Sequence, residues 1–451
     1  MRTLQATPHS EAVPESLREM GKLVSPYGLV SRLTWLPVTE GEPDFPVFSG
    51  SLGNPGAVLA AQAEWRHDAS SGNFDGAGGA LDRETAAHLA AAESLERYSS
   101  CAWSSQDMIW ATAAELGDDA IPPWEWPNLS PAELSDIRCG LVPTDPQIPL
   151  RWVEGWSFAR GRKVYVPAVQ VYLKCPPESA AERYMHPVST GCATHTDPLA
   201  AIANGLMEVV ERDSIALTWL QKLRLPRLEF ALDDLSSEHR AYVERAAGEN
   251  IRTLLFDATT NLGIPVVYGV QLADHDHDLA QLVVATCDTD PGKAIAKLHR
   301  EAASLRIALR SHAGRHTNPK DPEDTVSVIG GALLAGKYDQ RHRFDFLLEG
   351  DRPVRAFSEL PRPADGTSEL SWLLERLSRA DCEVVVVDIT TDEARQVGAT
   401  VVRVMVPQLM PLSFAHRARY LAHSRLYEAP RAMGHPVHSE NGINPTPQPF
   451  A

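Results

Sequence analysis

The stretch GAGGALDRETAAHLAAAESLERYS, residues 76–99, decides how the chain is read, because GCATHTDPLAAIANGLMEVVERDSIALTWL, residues 191–220, repeats its plan. Each copy starts in a glycine loop (SSGNFDGAGGALD and STGCATHTDP), passes an aspartate placed as helix N-cap (Asp82, Asp197) and enters an Ala/Leu-rich run. Each run carries E-x-x-E-R: Glu93, Glu96 and Arg97 in the first, Glu208, Glu211 and Arg212 in the second. Sliding one copy onto the other superposes Gly76 on Gly191, Asp82 on Asp197, Ala86 on Ala201 and Leu95 on Val210. Residues three and four apart share a helix face, so each copy presents two carboxylates and a guanidinium on one side. A single copy is ordinarily a solvated face with an i,i+4 ion pair. Two copies with matching glycine loops favour two acidic faces that converge on a pocket and hold divalent metal around a polyphosphate.

Outward from these stretches the chain alternates helix and strand signals. Helices are expected at about 82–102, 197–222 and 292–312, the third carrying Lys297, Glu301 and Arg306, with a shorter one at 369–379. Strands are expected in RWVEGWSFARGRKVYVPAVQVYL (151–173, broken at Gly161), at 264–272 and 282–287 around ADHDHDLA, and in CEVVVVDIT and VVRVMVPQLM. They come in pairs as well as singly, so a mixed α/β (α+β) arrangement fits better than a doubly wound parallel sheet. Residues 1–25 read as a flexible N-terminal leader and 26–451 as the folded domain. Within it, the Pro/Trp-rich 121–149 reads as an irregular excursion and 314–363, low in apolar periodicity, as a surface excursion.

A hydrophobic content of 43% over 451 residues allows an ample core. A net charge of -17 argues against sequence-independent nucleic-acid binding, which needs a basic stripe to displace counterions. A small substrate or a peptide fits better. No apolar signal region opens the chain and no window reaches the roughly 18 apolar residues of a membrane span, so the expectation is a cytoplasmic protein with no membrane association. The six cysteines lack any C-x-x-C spacing and read as reduced, partly buried thiols.

No G-x-x-x-x-G-K-[ST] is present, because Gly21-Lys22, Gly292-Lys293 and Gly336-Lys337 are followed by Leu, Ala and Tyr. Kinase and G-x-S-x-G signatures are missing too. Any bound phosphate is therefore expected on the glycine loops at the helix N-termini, with metal on the carboxylates. The segment ADHDHDLA reads as a polar hairpin turn rather than a metal site. His195 stands equally as a substrate or metal contact and as a capping residue, and Cys192 reads as small-residue packing rather than a nucleophile. The chain ends NPTPQPFA, with Pro445, Pro447 and Pro449 alternating before Ala451. Such regularity lowers the entropy lost when an extended segment orders in a cleft, although composition alone slightly favours a free polyproline II tail.

Taken together these residues resemble the YcaO family, specifically its azoline-forming cyclodehydratases of thiopeptide and linear azole-containing peptide biosynthesis. The resemblance runs through SPYGLVSRL, both acidic helices, KLHREAASLRIAL, VVVVDITTDEARQVGATVVRVMVPQLMPL and the final PTPQPFA. It implies a fold with an internal pseudo-repeat and no P-loop, binding ATP and Mg2+. By that resemblance Glu93, Glu96, Glu208 and Glu211 are magnesium ligands, Arg97 and Arg212 contact phosphate, and Glu301 with Arg306 forms a third, cofactor-binding motif. It also places Pro445, Pro447, Pro449 and Ala451 in or near the active site, the terminal carboxylate of Ala451 being a candidate base. The sequence departs from the family where Leu89 replaces a frequent Ser, Ser304 replaces a frequent Gln, and Ala77 with Gly79 replaces a lysine-bearing glycine loop.

The implied reaction adds a Cys, Ser or Thr side chain of a ribosomal precursor peptide to the preceding amide carbonyl. Phosphorylation of the amide oxygen then allows elimination to a thiazoline or oxazoline. Thioamide or macroamidine formation by the same amide activation is the rival within the family, and a non-catalytic precursor-binding scaffold the rival outside it. Expected partners are the precursor peptide, a separate E1-like or ThiF-like leader-binding protein, an azoline dehydrogenase and a second copy of the chain as homodimer.

Overall fold

The computed structural model describes residues 13–53, 56, 59–62, 75–248, 250–313 and 321–451. Among them lie three long helices: α1 (Arg83–Ser99), α2 (Pro198–Leu220) and α3 (Pro291–Ala313). Asp82 caps α1 by accepting from Thr85 N at 2.8 Å, and Asp197 caps α2 by accepting from Leu199 N at 2.9 Å, with Pro198 at the first helical position.

Each helix covers a sheet. A three-stranded antiparallel meander, β1 (Arg32–Leu36), β2 (Val47–Ser51) and β3 (Gly76–Gly79), backs α1. A second sheet joins β4 (Ile109–Ala111), β5 (Leu150–Ser157), β13 (Val385–Asp388), β14 (Thr400–Met405) and β7 (Cys192–His195) in that order, with β6 (Arg162–Pro167) also on β5; β7 and β14 lie under α2. The third runs β11 (Gln281–Cys287), β10 (Val266–Leu272), β9 (Arg252–Asp257), β8 (Arg227–Glu229), β12 (Val354–Ala356), and its first two strands pack on α3. β12 pairs with β8 in parallel, and the other pairs are antiparallel. This is the mixed arrangement expected from paired strand signals.

The core explains why α2 is apolar nearly all round. Leu206, Val210, Ile215, Leu217 and Trp219 pack with Val266, Tyr268 and Val270 of β10 and with Val402 and Val404 of β14, so two sheets bury opposite faces of one helix. Ile295, Leu298 and Ala302 of α3 pack on Val267, Leu282 and Val284.

Three expectations change. Each glycine segment contains a four-residue strand where a loop was expected, and residues 70–74 of the first lie outside the described residues. Their glycines serve close approach: a Cβ on Gly78 would sit 2.3 Å from Ala86 O and Ala90 N of α1, and one on Gly191 (φ +85) 2.1 Å from Val404 O. Residues 13–25 of the supposed leader are folded, with Met20 and Leu23 buried in the core that includes Leu95 of α1. From residue 321 on, the supposed surface excursion 314–363 contributes Leu333, Phe344, Leu347, Phe357 and Leu360 to the core and β12 to a sheet. Its apolar residues are spread over short elements (Gly330–Gly336, Tyr338–Phe344, Asp345–Leu348), so no helical period shows in the sequence.

Candidate active site

The two glycine strands aim the two acidic helices. Each runs antiparallel to its helix, so its start lies beside the helix middle rather than the N-terminus. Ala77 N–H donates to Glu93 Oε2 at 2.9 Å, and Gly191 N–H donates to Glu208 Oε2 at 2.9 Å. On the other oxygen of each carboxylate sits the arginine one turn on: Arg97 Nη2 is 3.1 Å from Glu93 Oε1 and Arg212 Nη2 is 3.2 Å from Glu208 Oε1. The repeat in the sequence is thus a repeat of polar wiring. It also means that these strand amides serve carboxylates, not the phosphates that the sequence placed at the helix N-termini.

The second glutamates sit deeper. Glu211, only 3% exposed, accepts from Cys287 N on β11 at 2.9 Å, lies against the Arg212 guanidinium and has Lys297 Nζ at 3.9 Å. Lys297 also stands 3.8 Å from Glu301, whose Oε1 accepts from Arg300 Nη2 at 3.2 Å. α3 therefore joins the site through Lys297, Arg300 and Glu301.

The electrostatics show that the three helices share one field. Burial pushes the Glu96 carboxyl well above its usual range; Arg97 opposes this, and the Glu208 and Glu93 charges add to it. Burial likewise lifts Glu211 to about 7, with Arg212 and Lys297 opposing and Glu301 and Glu208 adding. The cations respond in the opposite sense. Burial disfavours the charge on Arg97, yet Glu93, Glu96 and Glu208 outweigh it and raise its pKa, and Glu301 with Glu211 does the same for Lys297.

Clustered carboxylates with raised pKa values are short of positive charge, which is the condition a divalent cation relieves. Among the described residues no three carboxylate, thiol or imidazole groups already form a chelating set for one ion. Mg2+ typically keeps waters and takes one or two carboxylates plus substrate phosphates. Oxygen donors beside guanidinium and ammonium groups are a donor set whose chemistry fits Mg2+ with a polyphosphate.

Arg306 is placed elsewhere. It is fully buried, pairs with Glu42 and stands 3.7 Å from Asp276, in a cluster shared with Arg310. Five residues beyond Glu301 it falls on another face of α3, so the resemblance gave it a cofactor role that its surroundings do not support. Asp276 belongs to ADHDHDLA, which forms the β10–β11 hairpin turn, Asp276 accepting from Asp278 N and Leu279 N at 3.0 Å. His195 Nδ1 accepts from Asp197 N at 2.9 Å, a local contact at the start of α2. Cys192 is buried beneath Arg403, and burial raises its thiol pKa, which argues against a nucleophile. All six cysteines are free and buried.

The C-terminal tail is seated rather than free. Asn444 N–H donates to Leu220 O at 2.9 Å, Trp219 Nε1 donates to Thr446 O at 3.1 Å, and Phe450 lies edge-on to Tyr268 with ring centroids 5.3 Å apart. Pro447 and Pro449 are buried, Pro445 is exposed and Ala451 packs beside the core under α3. Tyr268 is two residues along β10 from Val266, which pairs with Cys287, the anchor of Glu211. The tail thus runs from the end of α2 back towards the carboxylates.

Three site residues were not selected by sequence. Lys297 and Arg300 flank Glu301 on α3, and Lys297, four residues before it, carries a readable signal. Arg403 on β14 acts on Glu96 and is a lone charge in the apolar run VVRVMV, the mark of a buried functional or paired cation.

Known proteins share this architecture. A protein of the tfuA 3' region in Rhizobium leguminosarum bv. trifolii is 26% identical over 350 residues, 74% of this chain and 76% of that protein. A heterocyclase solved in complex with substrate and cofactor superposes with a TM-score of 0.76 at 22% identity, covering 96% of this chain, which spans 57% of that heterocyclase. YcaO from Methanopyrus kandleri, bound with AMPPCP and Mg2+, gives 0.57 at 22% identity over 84% of this chain and 86% of that one. The E. coli microcin synthetase McbBCD complex gives 0.57 at 14% identity over 93% and 96%. The family model described as YcaO cyclodehydratase, ATP- and Mg2+-binding, matches residues 77–410, from the first glycine strand through all three helices, and the chain belongs to the YcaO family, whose cofactors are ATP and Mg2+.

Proposed function

We propose that this protein is an ATP-dependent cyclodehydratase that converts Cys, or Ser and Thr, residues of a ribosomal precursor peptide to azolines. The observation that carries the reading is the matched pair of wired glutamates, Glu93 and Glu208, facing a third acidic helix beside a seated C-terminal tail. The family's description as cyclodehydratases and the likeness to a substrate-bound heterocyclase support it.

When bound, Mg-ATP supplies the phosphoryl group that turns the amide oxygen into a leaving group. The chain's own residues do the rest. Glu93, Glu96, Glu208 and Glu211 would hold the metal, whose charge would offset the burial that disfavours the ionised forms of Glu96 and Glu211. Arg97, Arg212 and Lys297, already oriented by their ion pairs with Glu93, Glu208 and Glu301, would meet the phosphate charge with little reorganisation. The tail is seated against Trp219 and Tyr268, and the Ala451 carboxylate at its end is the candidate base for the nucleophile's proton. The precursor peptide, and a partner protein that delivers its leader, complete the system; the McbBCD synthetase likeness supports an assembly of this kind.

Incubation with the precursor peptide, the partner and Mg-ATP tests the proposal by mass. Azoline formation removes one water per ring. A gain corresponding to exchange of oxygen for sulfur identifies a thioamide-forming enzyme instead, and an unchanged peptide with no ATP consumed identifies a scaffold.

A further inference from the structure

Past the C-terminal end of α2, two arginine-bearing segments lie side by side: Arg224-Leu225-Pro226-Arg227 leads into β8, and Arg352-Pro353-Val354 leads into β12, which pairs with β8 in parallel. Arg224 Nη2 donates to the backbone oxygens of Glu349 and Asp351, both at 3.4 Å. Arg352 Nη2 donates to the same Glu349 oxygen at 2.9 Å, and its Nη1 to Leu225 O at 3.4 Å. The Arg352 guanidinium also lies 5.3 Å from the ring centre of Phe256 on β9, and Arg227, paired with Phe256 across the two strands, lies 5.2 Å from the same ring. The three guanidiniums form a row, Arg224 joined to Arg352 through one carbonyl and Arg352 to Arg227 through one ring.

The protein does not neutralise this row. The chain has 59 acidic side chains to 42 basic ones, so a surface arginine readily finds a carboxylate, yet among the described residues none of these three makes an ion pair. Glu349 and Asp351 contribute backbone oxygens only. Burial lowers the Arg227 pKa, with Arg252 adding and Glu229 opposing, and burial lowers that of Arg352, with Arg224 and Arg227 adding, so like charges crowd here. Arg224 is exposed, and Arg227 and Arg352 are half-buried. The Arg227 side chain makes no hydrogen bond among the described residues, and a guanidinium lying on a ring keeps its N–H edge open to both oxygens of a carboxylate. A row of such groups suits carboxylates spaced along a chain better than one compact phosphate, and a net charge of -17 repels a nucleic acid.

We propose, resting on the cyclodehydratase reading, that Arg224, Arg352 and Arg227 form a docking row for an acidic stretch of the peptide substrate, outside the residues that become rings. Leu220, where α2 ends, stands about 14 Å along the helix axis from Glu211, and the row begins beyond it. The row therefore selects substrates by charge at a distance from the chemistry and acts on binding rather than on the chemical step.

The test titrates the full chain, without nucleotide and at low salt, with Ac-GEEEEEEG-NH2, with its glutamine counterpart Ac-GQQQQQQG-NH2 and with hexathymidylate. The glutamate peptide should bind at least about tenfold tighter than the glutamine peptide. Arg227→Gln with Arg352→Gln should remove that difference. Arg379→Gln with Arg395→Gln takes the same charge from two exposed arginines paired with Glu375 and Asp392, and should change affinity less than about twofold. If the double variant of the row unfolds, Arg227→Gln alone, which gives up no hydrogen bond, should still lose at least about threefold. Equal binding of the two peptides overturns the proposal, and so does a loss in the control as large as in the row. Hexathymidylate that binds as tightly as the glutamate peptide, and is lost in the same variant, assigns the row to phosphate and overturns it too. Binding of the glutamate peptide by a chain that forms no azoline supports the row while sinking the cyclodehydratase reading.

Discussion

The amide of Cys287 donates to Glu211 Oε2 at 2.9 Å, fastening a buried carboxylate of α2 to strand β11. Glu211 therefore has two duties that substitution can separate. Glu211→Gln keeps an oxygen to accept from Cys287, so the unliganded protein should stay more stable than a variant that cannot accept this bond. Glu211→Leu leaves that buried N–H without an acceptor and should cost about 1–3 kcal/mol. Both should lose Mg-ATP turnover. Urea unfolding beside an ATPase assay checks the split, and equal stability of the Gln and Leu variants would remove the bond's structural role.

Glu93 and Glu208 carry the same wiring, a strand amide on one oxygen and an arginine on the other. Glu93→Ala and Glu208→Ala should accordingly fail alike, each reducing turnover by at least about 100-fold, the scale of losing a group that stabilises transition-state charge. If one variant stays active while the other does not, the two acidic helices do not form halves of one site.

Arg306 and Lys297 share α3 but should behave in opposite ways. Arg306→Met removes a fully buried guanidinium from Glu42, which keeps only Arg310, and from beside Asp276, and should destabilise the fold by about 1–3 kcal/mol. Lys297→Met faces the carboxylates and should leave stability nearly unchanged while weakening nucleotide binding. Thermal unfolding and nucleotide titration on both variants decide; a stable Arg306→Met that no longer binds ATP restores Arg306 to the site.

The contrast shows what the chain discloses by itself. Glu93, Glu96, Glu208 and Glu211 were legible because helical spacing is written directly into sequence and the repeat doubled the signal. The position of Arg306 was not, since its partners Glu42 and Asp276 come from segments 264 and 30 residues away that only tertiary structure joins to α3. Fold class followed from the strand pairing signals. Segment 321–363 did not, because its buried residues sit in elements too short to show a period. The glycines carry a packing role that the sequence did not disclose: Gly78 and Gly191 let a segment pass against backbone that a Cβ would strike.

Gly331 limits how the tail can seat. A Cβ there would lie 2.0 Å from the backbone oxygen of Gln448, too close for relief by a side-chain rotation. Gly331→Ala should therefore displace residues around Gln448 and loosen Phe450 from Tyr268, leaving Mg-ATP binding intact. Peptide turnover should fall by at least about tenfold, the scale of a misplaced reacting group. Full peptide turnover in this variant would show that the tail's seat has no part in catalysis.

His416 gives the fold a dependence on pH. Burial, with the Arg419 and Arg417 charges and against Asp321 and the Pro445 carbonyl, lowers its pKa from 6.5 to about 4. Between those values the unfolded chain binds a proton that the folded chain refuses, so the stabilising contribution is fully present above about pH 7 and is lost as pH falls towards 4. From pH 7 to pH 5 the loss from this residue alone is about 2 kcal/mol. His416→Gln removes the titrating group and should flatten that part of the stability profile, measured by urea unfolding at pH 7, 6 and 5. An unchanged slope in the variant would mean that the imidazole is hydrated and takes its proton in the folded state as readily as in the unfolded chain.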